Sequence, residues 1–154
     1  MRALREIALL VRSISEEVSV DIRKNCYANP FPSGWCQDTS RVLGKVLQDL
    51  GEVGFKLIFG KRELVIDAAT GRCSEPTHVW LERNGVIIDI TADQFLEEIS
   101  DPVLVTTDRS WHDTWPEQQE YDLEEVTGQL ERALYKAIVN HSTWQLSSRS
   151  LPKP

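Results

Sequence analysis

Three side chains combine types and an order that would support chemistry at a carbonyl: Cys36 in "FPSGWCQDTS", His78 in "THVWLE" and Asp89 in "GVIIDIT". A thiolate is a nucleophile, and an imidazole can take its proton near neutral pH. A carboxylate beside the imidazole fixes its tautomer. Cys36 stands where two prolines and a glycine give way to a helical pattern. If Ser33 or a neighbour caps that helix, the thiol falls in its first turn. There the unpaired N–H groups and the positive dipole end favour the thiolate. Gly34 lets the backbone approach closely, and neighbouring N–H groups offer an oxyanion site. A lone cysteine sharing a face with Leu43 and Leu47 is better read as a small core residue, so the case depends on what stands opposite.

Asn84-Gly85 lies between two β-rich runs, a strong hairpin signal. With a two-residue turn, Arg83 pairs with Val86, Trp80 lies opposite Asp89 and His78 opposite Thr91. Side chains alternate faces, so His78, Trp80 and Asp89 share one face, while Val79, Leu81, Ile88 and Ile90 form an apolar layer on the other. His78 and Asp89 are then diagonal neighbours, roughly 7 Å apart at the backbone and within side-chain reach. A charged Asp89 inside "VIIDIT" is costly without a partner, and His78 is the nearest one. A three-residue loop would send Asp89 to the opposite face.

The elements that must hold these groups follow from the patterning. Leu4, Ile7, Ala8, Val11, Ile14, Val18 and Ile22 form one helical stripe, predicting a helix from about Arg2 to Lys24. "YANPFPSG" interrupts regular structure. A second helix carries Leu43, Val46, Leu47 and Leu50 and stops at Gly51. "FKLIF" reads as a buried strand and "PVLVT" as a further one, whereas "GKRELVIDAATGRCSEP" is ambiguous between a short strand and a loop. A last helix is expected from Asp122, with Glu125 completing a capping box and Leu123, Val126, Leu130, Leu134 and Ile138 buried. Together these predict one α+β domain over residues 1–145 and a loose tail over 146–154.

Composition narrows the partners. The chain has 154 residues, 41% of them hydrophobic, enough to bury a core without metal or disulfide staples. A net charge of −7, with scattered Lys and Arg, argues against nucleic acid or an anionic membrane as the main partner. No apolar run approaches the roughly 20 residues that cross a bilayer. The N-terminal stretch carries Glu6, Glu16 and Glu17 and reads as an amphipathic helix rather than a signal peptide. Cys26, Cys36 and Cys73 are odd in number and contain no CxxC, so neither a disulfide framework nor a structural zinc site is expected, and the compartment is read as cytoplasmic. A Cys36–Cys73–His78 metal site lacks paired spacing, and neither metal nor cofactor is expected. His112 and His141 stand isolated and read as surface or packing residues. Asp93 and Gln94 read as caps of the turn after the hairpin, and "EEISD" as a solvated face.

"GWCQDTS", "THVWLE" and "GVIIDITADQF" together resemble, in order, the three blocks of the transglutaminase-like members of the papain-like superfamily. Those place Cys at a helix start, His followed by an aromatic on a strand, and Asp in an Asp-x-Thr setting on the next strand. The likeness spans about Phe31 to Phe95 and is similar in kind to lasso-peptide leader peptidases and small bacterial proteins of this length. It implies a papain-like/transglutaminase-like core: the Cys-bearing helix packed on a small antiparallel sheet, with flanking N- and C-terminal helices. It also implies Cys36 as nucleophile, His78 as general base and acid, and Asp89 as orienter. Trp35, Gly34, Gln37 and Trp80 are the expected substrate contacts, Trp35 foremost. The implied activity is hydrolysis or acyl transfer at an amide of a peptide or protein substrate; the alternative is a non-catalytic binding or immunity-type protein on the same fold. The chain departs from papain-type proteases before the thiol: where they carry a glutamine as oxyanion donor, it has "NPF". Gln37 and Asn29 are the amides near that position. The short Lys61–Pro76 loop leaves little room for an elaborate cleft.

Overall fold

A computed structural model describes residues 1–26, 28–66, 69–71 and 73–147. Helix α1 runs over Arg2–Cys26 and buries Leu4, Ile7, Ala8, Val11 and Ile14, the stripe its periodicity predicts. Arg12 lies on that buried face too. Its guanidinium is bonded to the Ile90 carbonyl at 2.6 Å and to both carboxylate oxygens of Asp93 at 2.7 Å, which satisfies a charge otherwise costly to bury. Helix α2 (Cys36–Asp49) buries Val42, Leu43, Val46 and Leu47. It ends where Gly51 takes φ +85, a conformation only glycine adopts at low cost, and the Gly51 and Glu52 N–H groups close on the carbonyls of Gln48 and Leu47.

Five antiparallel strands follow: β1 (Lys56–Lys61), β4 (Thr77–Arg83), β5 (Val86–Asp89), β6 (Leu104–Thr106) and β7 (Glu117–Asp122), in the order β6-β5-β4-β1-β7. The ambiguous segment before β4 holds a two-stranded ribbon of β2 (Val65–Ile66) and β3 (Cys73–Ser74); residues 67, 68 and 72 lie outside the described ones. At the β4–β5 turn Asn84 has φ 52 and Gly85 φ 75, the paired positive angles of a two-residue type I′ hairpin. Arg83 pairs with Val86, Glu82 with Ile87 and Leu81 with Ile88. The register expected from Asn84-Gly85 is therefore the one formed.

That register divides the sheet into two unlike faces. Leu57, Val79, Leu81, Ile88 and Ile90 pack into one apolar cluster with α1, α2 and helix α3 (Gln129–Asn140). On the other face Ile58, Trp80, Ile87 and Trp115 form a smaller cluster, edged by Phe95 and Trp111. Two short 3-10 turns, Ala92–Phe95 and His112–Thr114, bring the last of these residues over the sheet.

The C-terminal third departs from expectation. Asp122 ends β7 rather than starting a helix, and α3 begins seven residues later. "EQQEYD" has no buried face; its strand conformation comes from ladder pairing with β1 from Lys56↔Asp122 to Lys61↔Glu117. The helix start is stabilised by Glu131, not Glu125: its Oε2 accepts the N–H of Gly128 at 2.9 Å and of Thr127 at 3.1 Å. Leu134 and Ile138 are buried as expected, whereas Leu123 and Val126 reach the core from the loop. Helix α4 (Ser142–Ser147) covers the start of the expected tail, and 148–154 lie outside the described residues. No helix among the described residues is long and apolar enough to cross a membrane.

Candidate active site

Asp89 ends β5 on the face opposite the helices, and its side chain is fully buried. Four groups surround its carboxylate. Oδ2 lies 2.6 Å from His78 Nε2 and 3.2 Å from His112 Nε2. Oδ1 accepts the Thr91 N–H at 3.0 Å, with the Thr91 hydroxyl at 3.5 Å. The Asp-x-Thr spacing has a local purpose: an aspartate readily accepts the N–H two residues on, which fixes its carboxylate as the strand ends. Burial pushes the Asp89 pKa up. The positive charge of His78, with hydrogen bonds from both imidazoles, outweighs it and holds the carboxyl below its ordinary value of 3.8.

His78, near the start of β4, is equally buried. Its ring is enclosed by Phe95, Trp111, Trp115 and Trp80, with centroids 5.3 to 5.8 Å away. Arg62 stacks at 4.0 Å on the Trp115 ring and pairs with Glu98 at 2.6 Å, fastening that aromatic cover. Gly60, opposite His78 in the sheet, makes room for the neighbouring Trp80 ring, from which a Cβ there would lie 2.7 Å. Burial lowers the His78 pKa. The charge and hydrogen bond of Asp89, and to a smaller extent those of Cys36, outweigh it and raise the imidazole from 6.5 to about 9.

Cys36 is the first residue of α2, half-buried, and after Asp89 is the smaller of the two influences that raise the His78 pKa. Nε2 is committed to Asp89, which leaves Nδ1, and the Gln94 amide nitrogen lies 2.9 Å from it. Trp35, not Ser33, occupies the cap position of α2, and it makes no side-chain cap hydrogen bond.

The expected substrate contacts fare differently. Trp35 is fully buried, its indole N–H donating to the Asn29 carbonyl at 2.7 Å, which corrects its assignment to the binding surface. Trp80 is corrected likewise: it is fully buried beneath His78 and His112. Tryptophan rings are highly buried on average although they carry a polar N–H. Gly34, exposed at φ +75, directs its N–H to Gln94 Oε1 at 3.4 Å, and Gln37 is exposed. Gln37 also lines a cavity of about 510 Å³ beside α2, with Leu57, Phe59 and Val79 beneath and Arg41 and Glu120 at its sides. Leu57 and Val79 belong to the helix face of the sheet, so this space lies on the side opposite His78 and Asp89, and neither of these nor Cys36 lines it. His112, expected at the surface or in packing, is buried against Asp89, and Asp93 binds Arg12 instead of capping a turn. His141 pairs with Glu17 at 3.3 Å, away from the site.

No protein-family model, curated protein or solved structure matches the chain. Any role must come from the site itself. Sequence reasoning missed His112 and underrated Gln94. Neither belongs to a periodic pattern, since each is brought in by a 3-10 turn folded over the sheet.

Proposed function

We propose that the chain is a small thiol enzyme acting on an amide or peptide carbonyl, built on a papain-like/transglutaminase-like core. One observation carries this reading: a fully buried His78–Asp89 pair at 2.6 Å, with the thiol of Cys36 at a helix start among the groups that raise the imidazole pKa. In the reaction the Cys36 proton passes to His78 Nδ1 and the sulfur attacks the carbonyl carbon. The oxyanion is met by N–H groups of the first turn of α2, which have no intrahelical acceptor. His78 then returns its proton to the departing amine, leaving a thioester on Cys36. Water releases an acid, or an acceptor amine releases a new amide; His78 again takes the attacking group's proton. Asp89 keeps Nε2 protonated and stabilises the imidazolium, with His112 and Thr91 holding the carboxylate. A single catalytic domain in a reducing, cytoplasmic setting fits three free thiols.

Acyl and glutamine-containing activity probes on wild type and Cys36→Ser test this. A covalent adduct on wild type alone supports the reading, and equal labelling of both contradicts it.

One feature favours a second reading, a binding or immunity-type protein without turnover: Gln94 occupies the nitrogen that would take the thiol proton. On that reading Cys36→Ala retains full partner affinity and biological activity. Loss of both in a folded Cys36→Ala protein rules it out.

A further inference from the structure

The orientation of the Gln94 amide follows from two partners other than His78. Its nitrogen lies 3.1 Å from the Thr91 carbonyl oxygen, which can only accept. Its oxygen lies 3.4 Å from the Gly34 N–H, which can only donate. A flipped amide would set oxygen against oxygen and N–H against N–H. Of the two amide hydrogens, one goes to Thr91 and the other points at His78 Nδ1, 2.9 Å away. Nδ1 must then carry a lone pair and Nε2 the proton given to Asp89. This is the neutral form of the imidazole, against which Asp89 and Cys36 act by raising its pKa to about 9.

We propose that Gln94 is a positioning residue that latches the site: it caps Nδ1, favours the neutral form of His78 over the imidazolium, and ties the Gly34 loop ahead of Cys36 to the turn behind Asp89. This rests on the thiol-enzyme reading and adds the element that sets when the thiol can ionise. Moving the proton from Cys36 sulfur to Nδ1 forms a thiolate and an imidazolium, and the new Nδ1–H collides with the Gln94 N–H. The amide must leave Nδ1 for the ion pair to form, so substrate that draws Gln94 away also arms the nucleophile. The charged and titratable groups facing His78 are Asp89 from β5 and Cys36 from α2. His112 acts through Asp89, and Arg62 lies beyond the Trp115 ring. Asp89 and Cys36 favour the imidazolium, and Gln94 alone among the hydrogen-bond partners of the ring opposes it.

A hydrogen bond to the neutral form disfavours the charged form, and one such bond has a net effect of about 0.5 to 1 in pKa. The test is ¹⁵N-histidine NMR titration of His78 in wild type, Gln94→Met and Gln94→Glu, with iodoacetamide alkylation of Cys36 at pH 7 in parallel. Gln94→Met keeps the volume and removes the donor; its His78 midpoint should rise by about 0.5 to 1 in pH, with Cys36 alkylated about three to ten times faster. Gln94→Glu supplies an acceptor for Nδ1–H and should raise the midpoint further. A His78 midpoint unchanged or lowered in both variants overturns the latch. The same upward shift in a Cys36→Ser background, which cannot alkylate there, keeps the latch separable from the nucleophile. If alkylation fails while the titration shifts, the thiol-enzyme reading fails and the latch stands.

Discussion

The two faces of the sheet use the same strands for opposite purposes. On the helix side, Val79, Leu81, Ile88 and Ile90 meet α1, α2 and α3 in an apolar layer whose stability comes from area and fit. On the other side, one residue along each strand, His78 and Asp89 are buried just as completely but are held by hydrogen bonds, an ionic partner and an aromatic cover. That cover comes from short 3-10 turns rather than long helices, and it leaves the indole N–H groups of Trp80 and Trp115 and Nδ1 of His112 buried without partners. The apolar face needs each side chain to be the right size; the polar face needs each atom to have the right partner. A fold can tolerate unpaired groups where the neighbouring geometry is kept for chemistry.

Substitutions sharpen that contrast. Asp89→Ala strips both His78 and His112 of their shared partner and should cost about 3–5 kcal/mol in urea unfolding, comparable to breaking a buried ion pair. Asp89→Asn, which keeps the volume and one acceptor oxygen, should cost less; no loss at all in that variant would mean that packing alone matters on this face. Leu81→Ala on the helix face should cost about 2–5 kcal/mol through lost burial and a cavity, with the His78 titration unchanged. Gly60→Ala forces a Cβ against the Trp80 ring and should cost about 1–3 kcal/mol while disturbing His78. A further effect is on pH. His78 is raised above its unfolded value of 6.5, so its contribution is full below pH 6.5 and lost as the pH rises towards about 9. The melting temperature should fall across that window in wild type, and the slope should be absent in His78→Gln. A slope retained there assigns the pH dependence elsewhere.

What could be read beforehand divides along the same line. Hairpin parity put His78 and Asp89 on one face because Asn84-Gly85 admits the turn that fixes the register, and α1 and α2 were legible from their stripes. β7 was not, because "EQQEYD" carries no alternation and becomes a strand only by pairing with β1. The burial of Trp80, the place of His112 against Asp89 and the grip of Gln94 on Nδ1 depend on turns that fold back over the sheet, and the burial of Trp35 depends on its packing in the helix-side core. Such contacts follow from the assembled backbone, where local spacing is silent.

The most direct test of Cys36 as the nucleophile is competitive alkylation of the folded protein at pH 7, read by peptide mass spectrometry. Cys73 is exposed, and Cys26 and Cys36 are half-buried, so accessibility alone would make Cys73 the fastest. Cys36 should outpace both, and His78→Ala should remove its advantage while Cys26 and Cys73 keep their rates. Labelling that follows exposure, with Cys73 first and Cys36 indifferent to His78, would contradict it.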